Sequence, residues 1–188
     1  MAYTTIDDPS VYFQTTLYTG SGSSTQNVVN GGNSDLQPDW VWVKNRTDAR
    51  WHRLVDSSRG VSKNLYSNET DAEGTEASVT AFNSDGFSLG TDTGSDGWNE
   101  DGDAHVAWQW KANGGSRTTN TESGNNPGGG YQANTTAGFS IVDYVGTGAT
   151  GTMAHGLGAI PDMIIFKDRS EAAAWIVYHK NIGNGGGL

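Results

Sequence analysis

Apolar residues in this chain recur at every second position, and no stretch shows a convincing amphipathic helix. In Asp39-Trp40-Val41-Trp42-Val43-Lys44 both alternating sets are apolar, which predicts a strand covered on both faces and therefore central. In His105-Val106-Ala107-Trp108-Gln109-Trp110-Lys111 the alternation is cleaner, with Val106, Trp108 and Trp110 on one face. Four more runs read as strands: 51–56, 86–90, 139–144 and 163–167. The 27 glycines among 188 residues, with many Ser, Thr and Asn, oppose helix formation. Seven Trp and seven Tyr oppose disorder. Ser170-Glu171-Ala172-Ala173-Ala174-Trp175 has helical propensity, but a helix this short is marginal in isolation. The prediction is an all-β chain of short strands joined by Gly/Asn turns, an antiparallel β-sandwich of jelly-roll type.

The sequence also repeats itself. Phe13, Tyr18, Gly20 and Gly22 recur as Phe139, Tyr144, Gly146 and Gly148 at one offset. Pro38-Asp39-Trp40-Val41-Trp42-Val43-Lys44-Asn45-Arg46 recurs as Pro161-Asp162-Met163-Ile164-Ile165-Phe166-Lys167-Asp168-Arg169, and Trp51 finds Trp175 after one inserted residue. Colinear identities of this kind read as a duplicated unit. The expected organisation is an N-terminal attachment segment (1–11), a first β-unit (12–111), a Gly/Asn/Thr/Ser-rich flexible linker (112–137) and a partial second unit (138–188). The second copy has no counterpart of 61–110. Its sheet would expose unpaired edges, so completion by sequence beyond Leu188 or by another chain is expected. Trp40, Trp42, Trp108 and Trp110 are assigned to the core. The repeat makes 170–175 a turn leading into a strand.

Eleven Lys and Arg against 21 Asp and Glu give a formal net charge of −10. That charge repels phosphate backbones and anionic bilayers, so neither nucleic acid nor a membrane is an expected partner. No apolar run reaches the ~18 residues of a membrane span, and Met1-Ala2-Tyr3-Thr4-Thr5 does not begin a signal peptide. With no cysteine, disulfides, thiolate metal sites and cysteine nucleophiles are excluded.

Few motifs carry chemistry. Gly86-Phe87-Ser88-Leu89-Gly90 matches a nucleophile-elbow pattern, but a loop rather than a helix follows it, so it reads as a strand between turns. His52, His105, His155 and His179 have no metal-ligand spacing. No convergent acid–base or nucleophile set is indicated, and the expectation is a non-enzyme without a cofactor. Asp92, Asp96, Glu100, Asp101 and Asp103 form the most acidic stretch. Within it, Asn99, Asp101 and Asp103 resemble half of a calcium loop without its Gly and distal Glu. Trp98, between Gly97 and Asn99 in a loop and close to Asp96, is the best candidate for a sugar platform, with a flat apolar face beside the hydrogen-bonding Asp96 and Asn99. Arg46, Arg50, Arg53 and Arg59 are expected to pair with acidic groups of this chain or of a neighbouring subunit.

The segments Tyr12-Phe13-Gln14-Thr15-Thr16-Leu17-Tyr18-Thr19-Gly20, Asp56-Ser57-Ser58-Arg59-Gly60 and Phe82-Asn83-Ser84-Asp85-Gly86-Phe87-Ser88-Leu89-Gly90 lie in order with the Pro38–Arg46 motif and Ala107-Trp108-Gln109-Trp110-Lys111. Together they resemble a repeat unit of structural proteins of marine bacteriophages. The resemblance implies a lectin-like β-sandwich for the unit and a virion protein, most of all a tail-fibre subunit, anchored by its N-terminal segment and assembled as a homotrimer. A capsid decoration protein or a module binding host-surface glycan are the alternatives it leaves. It brings no catalytic residue.

Overall fold

A computed structural model describes residues 6–92 and 96–183. Residues 1–5 of the expected attachment segment, and the tail 184–188, lie outside the described residues. A single 3₁₀ turn at Pro9–Val11, capped by Asp8 accepting from the Ser10 N–H, leads into the strands.

The first unit is built from Phe13–Thr19 (β1), Asn27–Val28 (β2), Trp40–Asn45 (β3), Arg53–Asp56 (β4), Leu65–Tyr66 (β5), Val79–Asn83 (β6), Gly86–Leu89 (β7) and Ala104–Trp110 (β8). They form a five-stranded sheet, β1-β8-β3-β4-β5, and a three-stranded sheet, β2-β7-β6. All the pairings are antiparallel. Val41, Val43, Val55 and Ala107 of the larger sheet meet Val28, Val79, Phe87 and Leu89 of the smaller one, with Trp98 closing the cluster. This is a β-sandwich, as expected. Each fully buried Val, Leu or Phe contributes about 1.5–3 kcal/mol, so these side chains set the first unit's stability.

Register decides which tryptophans are inside. Trp110 pairs with Phe13 and Trp40, and Trp108 pairs with Thr15 and Trp42, so all four expected core tryptophans share the outer face. The inner face of the same strands takes the smaller Val41, Val43 and Ala107. The correction has a simple cause. Alternation assigns residues to opposite faces, but it does not say which face meets the second sheet.

The remaining strands are Thr118–Asn120 (β9), Gly129–Asn134 (β10), Phe139–Tyr144 (β11), Met163–Phe166 (β12) and Ile176–His179 (β13). The first three form the sheet β11-β10-β9, and β12 and β13 form a hairpin. The expected linker at 112–137 therefore contains two strands. The stretch 170–175 is a turn into β13, as the repeat predicted.

The duplication is visible in the backbone. Trp40 pairs with Asp56 and Val43 with Arg53; at an offset of 123 residues, Met163 pairs with His179 and Phe166 with Ile176. The Asp39 carbonyl accepts from the Ser57 N–H, and the Asp162 carbonyl accepts from the Lys180 N–H at the same offset. Gly22 and its counterpart Gly148 share a left-handed backbone, with φ of +66° and +73°.

The second copy lies against the tryptophan face of the first. Phe139 stacks on Trp40 with ring centroids 5.7 Å apart. The Trp175 indole N–H donates to the carbonyls of Tyr66 and Glu69, and Arg169 pairs with Glu73.

Candidate functional site

The acidic loop between β7 and β8 carries the candidate ligand residues, and its geometry is internal. One carboxylate oxygen of Asp92 accepts from the N–H groups of Gly97, Trp98 and Asn99 at 3.0–3.1 Å. Gly97 takes φ +84°, and a Cβ there would lie 2.4 Å from the Arg50 Cβ, so this turn requires glycine. The turn drives Trp98 inward: it is 3% exposed, and its indole N–H donates to the Gly90 carbonyl. Trp98 is therefore core and offers no platform to a sugar, contrary to the sequence reading. A tryptophan in a polar loop reads as exposed only until tertiary packing folds the loop back.

Asn99 is fully buried and wholly committed. Its Oδ1 accepts from the Ser21 N–H, and its Nδ2 donates to the carbonyls of Ser23 and Gly90. Asp101 is exposed, and Asp103 accepts from the Asn45 amide at 2.7 Å. The expected calcium trio of Asn99, Asp101 and Asp103 is not what the fold assembles. Instead the carboxylates of Asp48, Glu100 and Asp103 lie within 4.8 Å of one another. That group already holds a cation, because Arg50 forks onto Glu100 at 2.8–2.9 Å and reaches Asp48 at 3.1 Å. Asp96 is exposed. It contributes its carbonyl to Arg53, and its carboxylate stands 3.8 Å from the same guanidinium.

Arg53 organises the other side of this loop. It is 1% exposed, yet its guanidinium sits 4.6 Å from the Trp98 ring centre and 4.8 Å from that of Tyr66. It donates to the Glu76 carboxylate at 3.0 Å and to the Tyr66 hydroxyl at 3.3 Å. Burial, assisted by the hydrogen bond to Glu76, pushes the Tyr66 phenol up to about 12. Sequence reasoning foresaw an acidic partner for Arg53 but not the aromatic cage. Arg59 likewise pairs with Asp56 and Glu73, so the expected intrachain partners of Arg50, Arg53 and Arg59 are present. Burial raises the Glu73 carboxyl, but hydrogen bonds from Arg169 and Arg59 outweigh it and leave the group below its ordinary value.

Two buried polar groups tie the segment after the first unit back onto it, and neither role was legible in the residues alone. The Asp39 carboxylate accepts from the N–H groups of Ala112, Gly114 and Gly115 at 2.7–2.8 Å and from the Ser57 hydroxyl. The Gln132 amide donates to the hydroxyls of Ser57 and Ser58 and accepts from the Gly115 N–H. The N–H groups of 112–115 have no strand partner, and these two side chains supply their acceptors.

His105 is fully buried and stacks on Tyr18 at 4.9 Å. Its Nδ1 faces the Asp103 carbonyl at 3.0 Å, while Nε2 has no hydrogen-bond partner among the described residues. Burial holds its pKa below the usual imidazole value, against the opposing pull of Asp103, Asp92 and Glu100. An open depression of about 480 Å³ beside β1 is lined by Gln14, Thr15, Thr16, Leu17, Val29, Gly31 and Gly32, none of them titratable.

The polar groups of the expected site thus hold loops and units together. Residues 8–187 match a family described as a domain of unknown function, DUF7483. The chain belongs to the DUF7483 family. The match of this DUF7483 chain runs through both copies of the duplicated unit. No curated protein and no solved structure matches it.

Proposed function

We propose that this DUF7483 chain is a non-enzymatic structural subunit of a bacteriophage particle, most of all of a tail fibre or similar appendage. The observation that carries the reading is the duplicated hairpin. The second copy repeats the register of the first but leaves Met163, Ile165 and Ile176 exposed, as suits a module that builds by association. The resemblance of the Pro38–Arg46 motif and of 82–90 to phage repeat units supplies the biological setting. Assembly as a homotrimer and attachment through the segment 1–11 belong to the same proposal. Nothing in the loop at 96–103 favours a glycan site on Trp98.

The test is to locate the chain in intact particles by cryo-electron microscopy, with an antibody to the folded protein as an independent label. Density at the tail supports the fibre reading. Density on the shell replaces it with a capsid decoration protein. Absence from purified particles overturns the virion reading.

A further inference from the structure

We propose that the second unit is an acceptor for one β-strand of the β8 type, inserted between β11 and β12 and not drawn from residues 6–183. The inference stands on strand geometry and does not depend on where a particle carries the protein.

In the first unit β8 is bonded on both sides, to β1 and to β3. The repeat makes β11 the counterpart of β1, and β12 the counterpart of β3. Backbone parity shows which edge of each is in use. Along β1, even-numbered residues face β8: the Gly20 N–H donates to the Asp103 carbonyl, and the Tyr12 carbonyl accepts from the Lys111 N–H. The counterparts of those positions on β11 are Ser140, Val142 and Tyr144. On β11 it is the opposite set that is paired, because the Val145 N–H donates to the Gly128 carbonyl beside β10. So β10 occupies the far edge of β11, and the edge equivalent to β1's β8 edge has no strand beside it among the described residues.

The same argument holds for β12. On β3 the Arg46 N–H donates to the Ala104 carbonyl, so even-numbered residues face β8, and the Asp39 carbonyl faces β4. On β12 the Asp162 carbonyl faces β13, which leaves Met163 and Ile165, the counterparts of Trp40 and Trp42, turned to the open edge. Two edges are open, and both are the edges that one strand bridges in the first unit.

Burial agrees. Val41 and Val43 are 0% and 1% exposed, whereas their counterparts Ile164 and Phe166 are half-buried and 37% exposed, and Met163, the counterpart of half-buried Trp40, is 53% exposed. The first unit also states what the occupant looks like. Trp110 lies between Phe13 and Trp40, and Trp108 between Thr15 and Trp42. The equivalent positions lie between Phe139 and Met163, and between Ile141 and Ile165. A strand with bulky apolar residues at these two alternate positions and small or amide side chains between them fits. A second copy cannot lend its own β8 without opening its first unit, since that strand is already paired on both sides.

The experiment adds a synthetic peptide of residues 103–111 to the full chain and follows backbone amide exchange by NMR. Expected is saturable binding, with exchange at Ser140, Val142, Tyr144, Met163 and Ile165 slowed by at least about tenfold. A peptide of the same composition with its alternation shifted by one residue should not bind. Ile165→Pro removes one N–H on the open edge while leaving the β13 side of the hairpin intact, and should abolish capture. No binding, or protection only at the outer edges of β5 or β6, overturns the proposal. So does a concentration-dependent dimer in which these same five amides are protected without peptide, because a second copy would then be the occupant. Capture of the peptide by a chain that proves absent from virions would leave the slot standing and remove only the phage setting.

Discussion

His105 is a buried imidazole whose neutral form the fold prefers, and the sign of its effect follows. Its folded pKa lies below the unfolded value of 6.5, so the unfolded chain takes up the proton first as pH falls. Its contribution is present above that value and is lost as pH falls through it. His52, lowered by burial and by Lys44, acts in the same direction. The urea midpoint should therefore drop between about pH 7 and about pH 5, and His105→Phe, which keeps the ring against Tyr18, should lessen that slope. An unchanged slope in the variant would assign the effect elsewhere. Arg53 gives a second prediction. Removing it loses the caged guanidinium and its bonds, but Glu76, whose side chain is 39% exposed, can be rehydrated. Arg53→Met should destabilise by about 2–4 kcal/mol, less than when a charge is left buried and alone. Equilibrium denaturation measures it.

At the level of elements, β3–β4 and β12–β13 are the same hairpin in two environments. Their registers coincide, so local pairing alone predicts equal protection. Packing does not: Val41, Val43 and Val55 lie under the second sheet, while Ile165 and Ile176 face solvent. Amides of Ile164 and Phe166 should exchange at least about 100-fold faster than those of Val41 and Val43. Equal rates would mean that the second hairpin has cover from this chain alone. The turn bearing Trp98 is the other element with a clear dependence. Asp92→Ala leaves three buried N–H groups without their acceptor and should cost about 2–3 kcal/mol, read as a lowered Tm.

For the whole molecule, the joint between the copies rests on Asp39 and Gln132 together with the stack of Phe139 on Trp40 and Trp110. Asp39→Ala should expose 112–117 to proteolysis and lower the Tm, whereas Gln132→Ala, which leaves the Asp39 acceptor in place, should do so to a smaller extent. Limited proteolysis followed by mass spectrometry distinguishes the two. If neither variant is cleaved there, the aromatic stack and the contacts of Trp175 and Arg169 with the first unit hold the copies together without these two groups.

Period-two patterning and abundant glycine determined that the chain is all-β, and six of its strands were legible as alternating apolar runs. The repeat was legible too, because identities such as Pro38 with Pro161 and Lys44 with Lys167 survive in linear order. Strands such as Thr118–Asn120 and Gly129–Asn134 were not, since their residues resemble a linker and only pairing with β11 makes them strands. The face of the sheet that meets the core was likewise undetermined, which is why Trp40 and Trp108 lie outside the sandwich core and Trp98 inside it. Alternation is a property of one strand, whereas burial depends on which second layer arrives, and from which side. That choice belongs to the tertiary structure, as does the commitment of Asn99, Asp103 and Arg50 to the loops around them.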